Sequence, residues 1–282
     1  MTPSLFRPWT RVLRWRLNRM EEKMSEETGL GPIPWTVGDI VKGSALVIAI
    51  VIVIAFGLGI GTVLLIGPEL QFELGSQNIT ITEFIREFID LLAGEGVLQL
   101  WLIIVLVAMV VAEGAMPLAA WLFSSAKYKC GWQALGFRPF KVRNGLILAA
   151  VVAVVGLLIS YLYEMLMTSL GMEPTSPLPP ELTQGAVNIA LFSIVAVVVA
   201  PFAEEIFFRG FLFSGIGNRY GYGWGAVISA LIFSVVHMQL GALLPIFIFG
   251  LFLAWLYMRT GSIWVCIFAH GAFNSIALLF MI

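Results

Sequence analysis

Seven apolar runs organise the chain, near residues 44–67, 98–123, 145–170, 187–217, 224–240, 243–258 and 262–281. About 20 helical residues cross the hydrocarbon of a bilayer, so these runs predict membrane helices joined by polar connections. The predicted fold class is all-α, a polytopic transmembrane helix bundle of about seven to eight spans. The run at 187–217 exceeds one crossing and carries Pro201 in its middle. A proline there removes a backbone donor and crowds the preceding turn, which predicts a kink or a break into two parts. The last two runs are separated by Arg259-Thr260-Gly261, which predicts a tight turn.

Two segments outside the runs carry helical patterning. Residues 9–20 place Trp9, Val12, Leu13, Trp15, Leu17 and Met20 among Arg11, Arg14, Arg16 and Arg19. That mixture suits a short helix on an anionic membrane surface, with a solvated basic tail as the plainer alternative. Thr80-x-x-Glu83 has the form of a capping box. It precedes Ile81, Phe84, Ile85, Phe88, Ile89 and Leu92 at helical spacing, predicting an amphipathic helix on the outer surface or against the bundle. Asn78-Ile79-Thr80 matches a glycosylation sequon, a triplet that chance supplies often. The chain thus divides into a basic tail (1–43), N-terminal membrane helices (44–186) and a C-terminal core (187–281).

Composition agrees and narrows the class. The 282 residues are 60% apolar and 12% charged, against roughly 45–50% and 25% for a soluble domain. The apolar content excludes disorder. A net charge of −1 removes the basic footprint of a nucleic-acid binder. Two cysteines, Cys130 and Cys266, make neither a disulfide framework nor a cysteine-rich zinc site. Of sixteen Lys and Arg, seven lie in 1–43 and five in 124–144, and Arg219 and Arg259 fall in loops of the same parity. The opposite side holds Arg86 among acids from Glu69 to Glu181. The positive-inside rule then places the N-terminus in the cytoplasm. An integral protein of a bacterial plasma membrane fits this pattern.

Five formal charges fall within the runs: Glu113, Glu164, Glu204, Glu205 and Arg209. Each is expensive in hydrocarbon unless paired or hydrated, so each is a functional candidate. Glu113 precedes Gly114 and Pro117 and reads as marking a kink near a helix end. Glu164 sits near the outer end of its run, where packing explains it as well. Glu204 and Glu205 are adjacent, so they point about 100° apart on a helix. Glu205 and Arg209 are spaced i,i+4 on one face, which predicts a supporting ion pair and leaves Glu204 free for chemistry. A purely structural ion network is the plain alternative.

The chain has two histidines, and both lie in the runs. His237 closes Phe233-Ser234-Val235-Val236-His237, and His270 shares a helix face with Asn274. A lone histidine on an apolar helix is most often a hydrogen-bonded core residue. Two of them beside a Glu-Glu-x-x-x-Arg helix point instead to one polar site. A carboxylate serves as general base, an imidazole assists or donates, and a second imidazole with an amide donates to a developing oxyanion. The set suits attack by an activated water on a carbonyl. It also suits a zinc centre held by Glu204, His237 and His270 with an open fourth position. Intramembrane Glu and His serve equally as relays in an ion- or proton-coupled transporter, and a non-catalytic membrane scaffold is the third reading.

At these residues the sequence resembles the CPBP family of intramembrane proteases, which includes the Rce1-type CAAX endopeptidases and the bacterial Abi proteins. The family pattern is Glu-Glu-x-x-x-Arg, then Phe-x-x-x-His, then His-x-x-x-Asn or Asp, on successive membrane helices. Here these are Glu204-Glu205…Arg209, Phe233…His237 and His270…Asn274, with Phe208-Arg209-Gly210 and Tyr257-x-x-Thr260-Gly261-Ser262 matching around them. The resemblance covers roughly 187–281. It implies a proteolytic site inside the bundle that opens toward the cytoplasm and acts on membrane proteins or peptides, prenylated ones among them. It further implies that Glu204 and His237 activate water, that His270 and Asn274 form the oxyanion site, and that Glu205 and Arg209 support them. One constraint follows from the spans. Counting about 1.5 Å per residue from the cytoplasmic ends puts His270 about 12 Å deep and His237 about 20 Å. Convergence requires the 224–240 run to start in the cytosol or to tilt.

Overall fold

A computed structural model describes residues 30, 32–74, 95–172 and 186–281. The patterned segments 9–20 and 80–92, and Asn78, lie outside the described residues. Among the described residues there are seven longer helices and no strand: α1 (Val37–Leu74), α2 (Glu95–Trp121), α3 (Val142–Ser169), α4 (Ala186–Tyr220), α5 (Tyr222–Val236), α6 (Leu243–Thr260) and α7 (Ile263–Met281). All but α5 contain a stretch long and apolar enough to cross a membrane, and α5 is a shorter apolar helix. The protein is an integral membrane protein built as a helical bundle.

Local chemistry sets the ends of these helices. Asp39 Oδ2 accepts hydrogen bonds from the Thr36 backbone N–H and hydroxyl, each at 2.9 Å, while the Asp39 N–H reaches Thr36 Oγ1 at 3.3 Å. This reciprocal cap satisfies donors that the start of α1 leaves open. Asp39 is itself buried and also accepts from Tyr128 Oη at 2.7 Å and from Lys127 Nζ. The start of α1 is thereby tied to the connection after α2. At the other end of the chain, α6 stops at Gly261, whose φ of 63° is left-handed and whose N–H bonds Tyr257 O at 2.8 Å. That is the tight turn expected from Arg259-Thr260-Gly261.

The centre of the bundle is α4. Residues 203–217 are buried without a break, as expected for a helix that is apolar on every side. Phe207, Phe208, Phe211 and Phe213 pack there with Phe233 of α5, Leu253 and Tyr257 of α6 and Ile263 of α7. The expected break at Pro201 does not occur. The helix continues through the proline, and two wide π-type turns, Val195–Val199 and Ile206–Phe213, take up the irregularity. Carbonyls of the second wide turn acquire side-chain donors. Phe208 O accepts from Ser229 Oγ at 2.8 Å, Arg209 O from Ser214 Oγ at 3.0 Å, and Phe211 O from Trp35 Nε1 at 3.0 Å. These bonds tie the centre of α4 to α5 and to the segment preceding α1.

Gly210 sits in this turn for a steric reason. A Cβ there would lie 2.5 Å from the backbone carbonyl oxygen of Leu135, in the short turn Trp132–Leu135. Gly210→Ala is therefore expected to destabilise the protein by about 1–3 kcal/mol, the usual range for overpacking a filled core. Thermal unfolding in detergent checks this, and an unchanged melting temperature would mean that the 132–135 turn gives way freely.

Candidate active site

Glu204 and Glu205 lie at the junction between the Pro201 turn and the second wide turn of α4. Glu205 is fully buried, and its Oε1 accepts from Arg209 Nη1 at 2.9 Å. This is the i,i+4 pair expected from the sequence. Arg209 is fully buried as well. Its Nη2 points to Gly250 O at 3.4 Å, and its guanidinium lies 4.4 Å from the centre of the Phe233 ring. The aromatic face offers a desolvated cation some compensation.

The same Glu205 Oε1 stands 2.9 Å from His270 Nδ1. A carboxylate paired with arginine accepts, so Nδ1 carries the proton and donates. The remaining ring nitrogen, Nε2, is the one left for chemistry. Nε2 faces Glu204 Oε2 at 3.8 Å. That distance exceeds a direct hydrogen bond. The two neighbouring carboxylates therefore address opposite nitrogens of one imidazole, one as orienting partner and one as facing group. Glu204 and His270 are 8% and 4% exposed, so this pair is nearly desolvated.

Phe233 contacts both histidines. Its ring centre is 4.6 Å from that of His237 and 5.7 Å from that of His270. His237 caps the C-terminal end of α5, half-buried, with Nδ1 2.7 Å from Phe233 O. The Phe-x-x-x-His spacing thus puts one aromatic ring in edge contact with both imidazoles. Among the described residues no group of three His, Cys, Asp or Glu side chains is arranged to hold a metal ion. Glu204, His237 and His270 do not converge on a zinc-sized site in this geometry. Asn274, on the α7 face of His270, has its amide Nδ2 bonded to Ala196 O at 2.7 Å.

One further carboxylate reaches this region. α2 packs beside residues 200–205, and Glu113 comes close enough to Glu204 for the two charges to interact. Each has a buried Oε2 without a hydrogen-bond partner among the described residues. The sequence singled out Glu113 as a charge in a run and as the mark of a kink, not as a neighbour of Glu204. A lone glutamate on a separate helix carries no spacing that announces its neighbour. The proline expected to mark a kink, Pro117, lies inside α2, which continues through it to Trp121. Glu164 is exposed on α3.

Residues 186–276 match the family described as Type II CAAX prenyl endopeptidase Rce1-like. The resemblance drawn from the three motifs therefore holds over that segment. A Bacillus subtilis (strain 168) protein named "Putative membrane peptidase YdiL" is 37% identical over 91 residues, which are 32% of this chain and 37% of the relative. An uncharacterized protein of Mycoplasma capricolum is 30% identical over 100 residues, 34% of this chain and 29% of the relative. The match thus spans well under half the length of these curated relatives. No solved structure matches the chain.

Proposed function

We propose that the protein is an intramembrane endopeptidase that hydrolyses peptide bonds of membrane-associated proteins or peptides with an activated water. The observation that carries this reading is the buried Glu204–His270 pair, 3.8 Å apart and backed by the Glu205–Arg209 ion pair. Glu204 accepts a proton from a water as its oxygen attacks the scissile carbonyl. The protonated carboxyl then delivers that proton to the departing amine, giving one new carboxyl and one new amino terminus. His270, fixed by Glu205, donates from Nε2 to the oxyanion in its imidazolium form, which is protonated from bulk water before the attack and retained through the cycle. His237, whose ring contacts Phe233 as that of His270 does, is the imidazole that the resemblance pairs with Glu204 in activating the water. Prenylated CAAX proteins are the substrate class that the matched family's description names. The strong bias of basic residues supports a cytoplasmic N-terminus, and the bacterial relatives support a plasma-membrane location.

Proteoliposomes test this against the transporter reading. The protein is expected to cleave membrane-inserted peptides while adding no proton or ion flux to empty vesicles. Flux without cleavage would favour the relay function instead.

A further inference from the structure

The inference concerns Asn274, which the resemblance assigns to the oxyanion site, and it rests on the protease reading for its activity arm only. In the wide turn before Pro201, the Ala200 N–H bonds Val195 O, an i to i+5 step. In the same register the Ala196 carbonyl would take its proton from residue 201, and residue 201 is proline. The proline ring also crowds the carbonyl four residues earlier, that of Val197. Two half-buried backbone acceptors are thus disturbed about two turns ahead of the carboxylates, and unmet acceptors of this kind are costly in hydrocarbon.

Helix α7 covers both. Asn274 Nδ2 donates to Ala196 O at 2.7 Å. One turn earlier, Gly271 lets the α7 backbone approach Val197, where a Cβ would lie 2.9 Å from the carbonyl oxygen. His270, next to Gly271, then reaches Glu205. From these contacts we infer that Asn274 is a positioning residue. It supplies the hydrogen bond that Pro201 withholds from Ala196, and so fixes the wide turn that leads into the segment carrying Glu204 and Glu205. The bond occupies one of the amide's donor hydrogens, and the geometry gives the group a task away from the substrate.

A rescue experiment separates this task from direct donation to substrate. Pro201→Ala restores a backbone N–H at the position that Ala196 O lacks. Asn274→Ala alone is expected to lower kcat by roughly 10–100-fold with KM little changed, the effect of a misplaced reacting group. In the P201A background the same substitution is expected to cost only a few-fold, because the backbone then supplies the bond. Melting temperatures of the four proteins, measured in detergent, should show the same coupling. That arm holds even if no cleavage is found for the wild type. If N274A fails to accumulate while P201A/N274A does, the inference is supported. It is overturned if N274A costs as much in the P201A background as in the wild type, in activity and in melting temperature, or if both variants fail to accumulate.

Discussion

Glu204→Gln is expected to lower peptide-bond cleavage by roughly 10²–10⁴-fold, the range a general base contributes, while the protein still inserts and folds. The substitution removes one ionisable group and keeps the side-chain shape. Glu204 Oε2 is buried and has no hydrogen-bond partner among the described residues, so the amide disturbs no bond that they make to that atom. Its packing neighbours are those of the carboxylate. Melting temperature and detergent gel filtration report the fold, and turnover of a membrane peptide reports the chemistry. A scaffold or a structural ion network predicts the reverse, with little functional loss and a change in stability. Normal turnover by E204Q would remove Glu204 from the mechanism.

The second large effect belongs to the Glu205–Arg209 pair. Arg209→Met leaves the Glu205 carboxylate buried with only His270 opposite it. Breaking a buried pair by removing one partner costs about 3–5 kcal/mol, whereas replacing both partners by apolar groups is often close to neutral. The double variant Glu205→Met/Arg209→Met should therefore recover much of the stability lost by the single variant. It should not recover activity, because His270 loses the acceptor at Nδ1 that sets its aim. Stability is read from thermal unfolding and activity from the peptide assay on the same preparations. A double variant as unstable as the single one would mean that Arg209 acts through its contacts with Phe233 and Gly250 and not through the ion pair.

These two predictions also mark how far the sequence could be read. The membrane helices, the basic-side asymmetry and the Glu205–Arg209 pair follow from patterns local to the chain: apolar length, charge count and i,i+4 spacing. The turn at Gly261 was legible for the same reason. What the sequence did not disclose depends on contacts between helices. Adjacent glutamates were expected to face apart, and they do so around a single imidazole supplied by α7. Pro201 was expected to kink or break α4. The helix does not break there but continues through wide turns, and the donor for Ala196 comes from a residue 78 positions away. Glu113 entered the neighbourhood of Glu204 through helix packing alone. The 3.8 Å approach of Glu204 to His270 likewise has no signature in spacing, since it depends on how α4 and α7 cross.

The central claim is hydrolysis by a water that Glu204 activates, and it is tested most directly by running the reaction in H₂¹⁸O. Purified protein is reconstituted with a membrane-inserted peptide, and the new termini are identified by mass spectrometry. The account predicts a new carboxyl terminus carrying ¹⁸O from the solvent with the wild type, and almost none with E204Q. Equal yields of labelled termini from both proteins, or no new termini from the wild type, would contradict it.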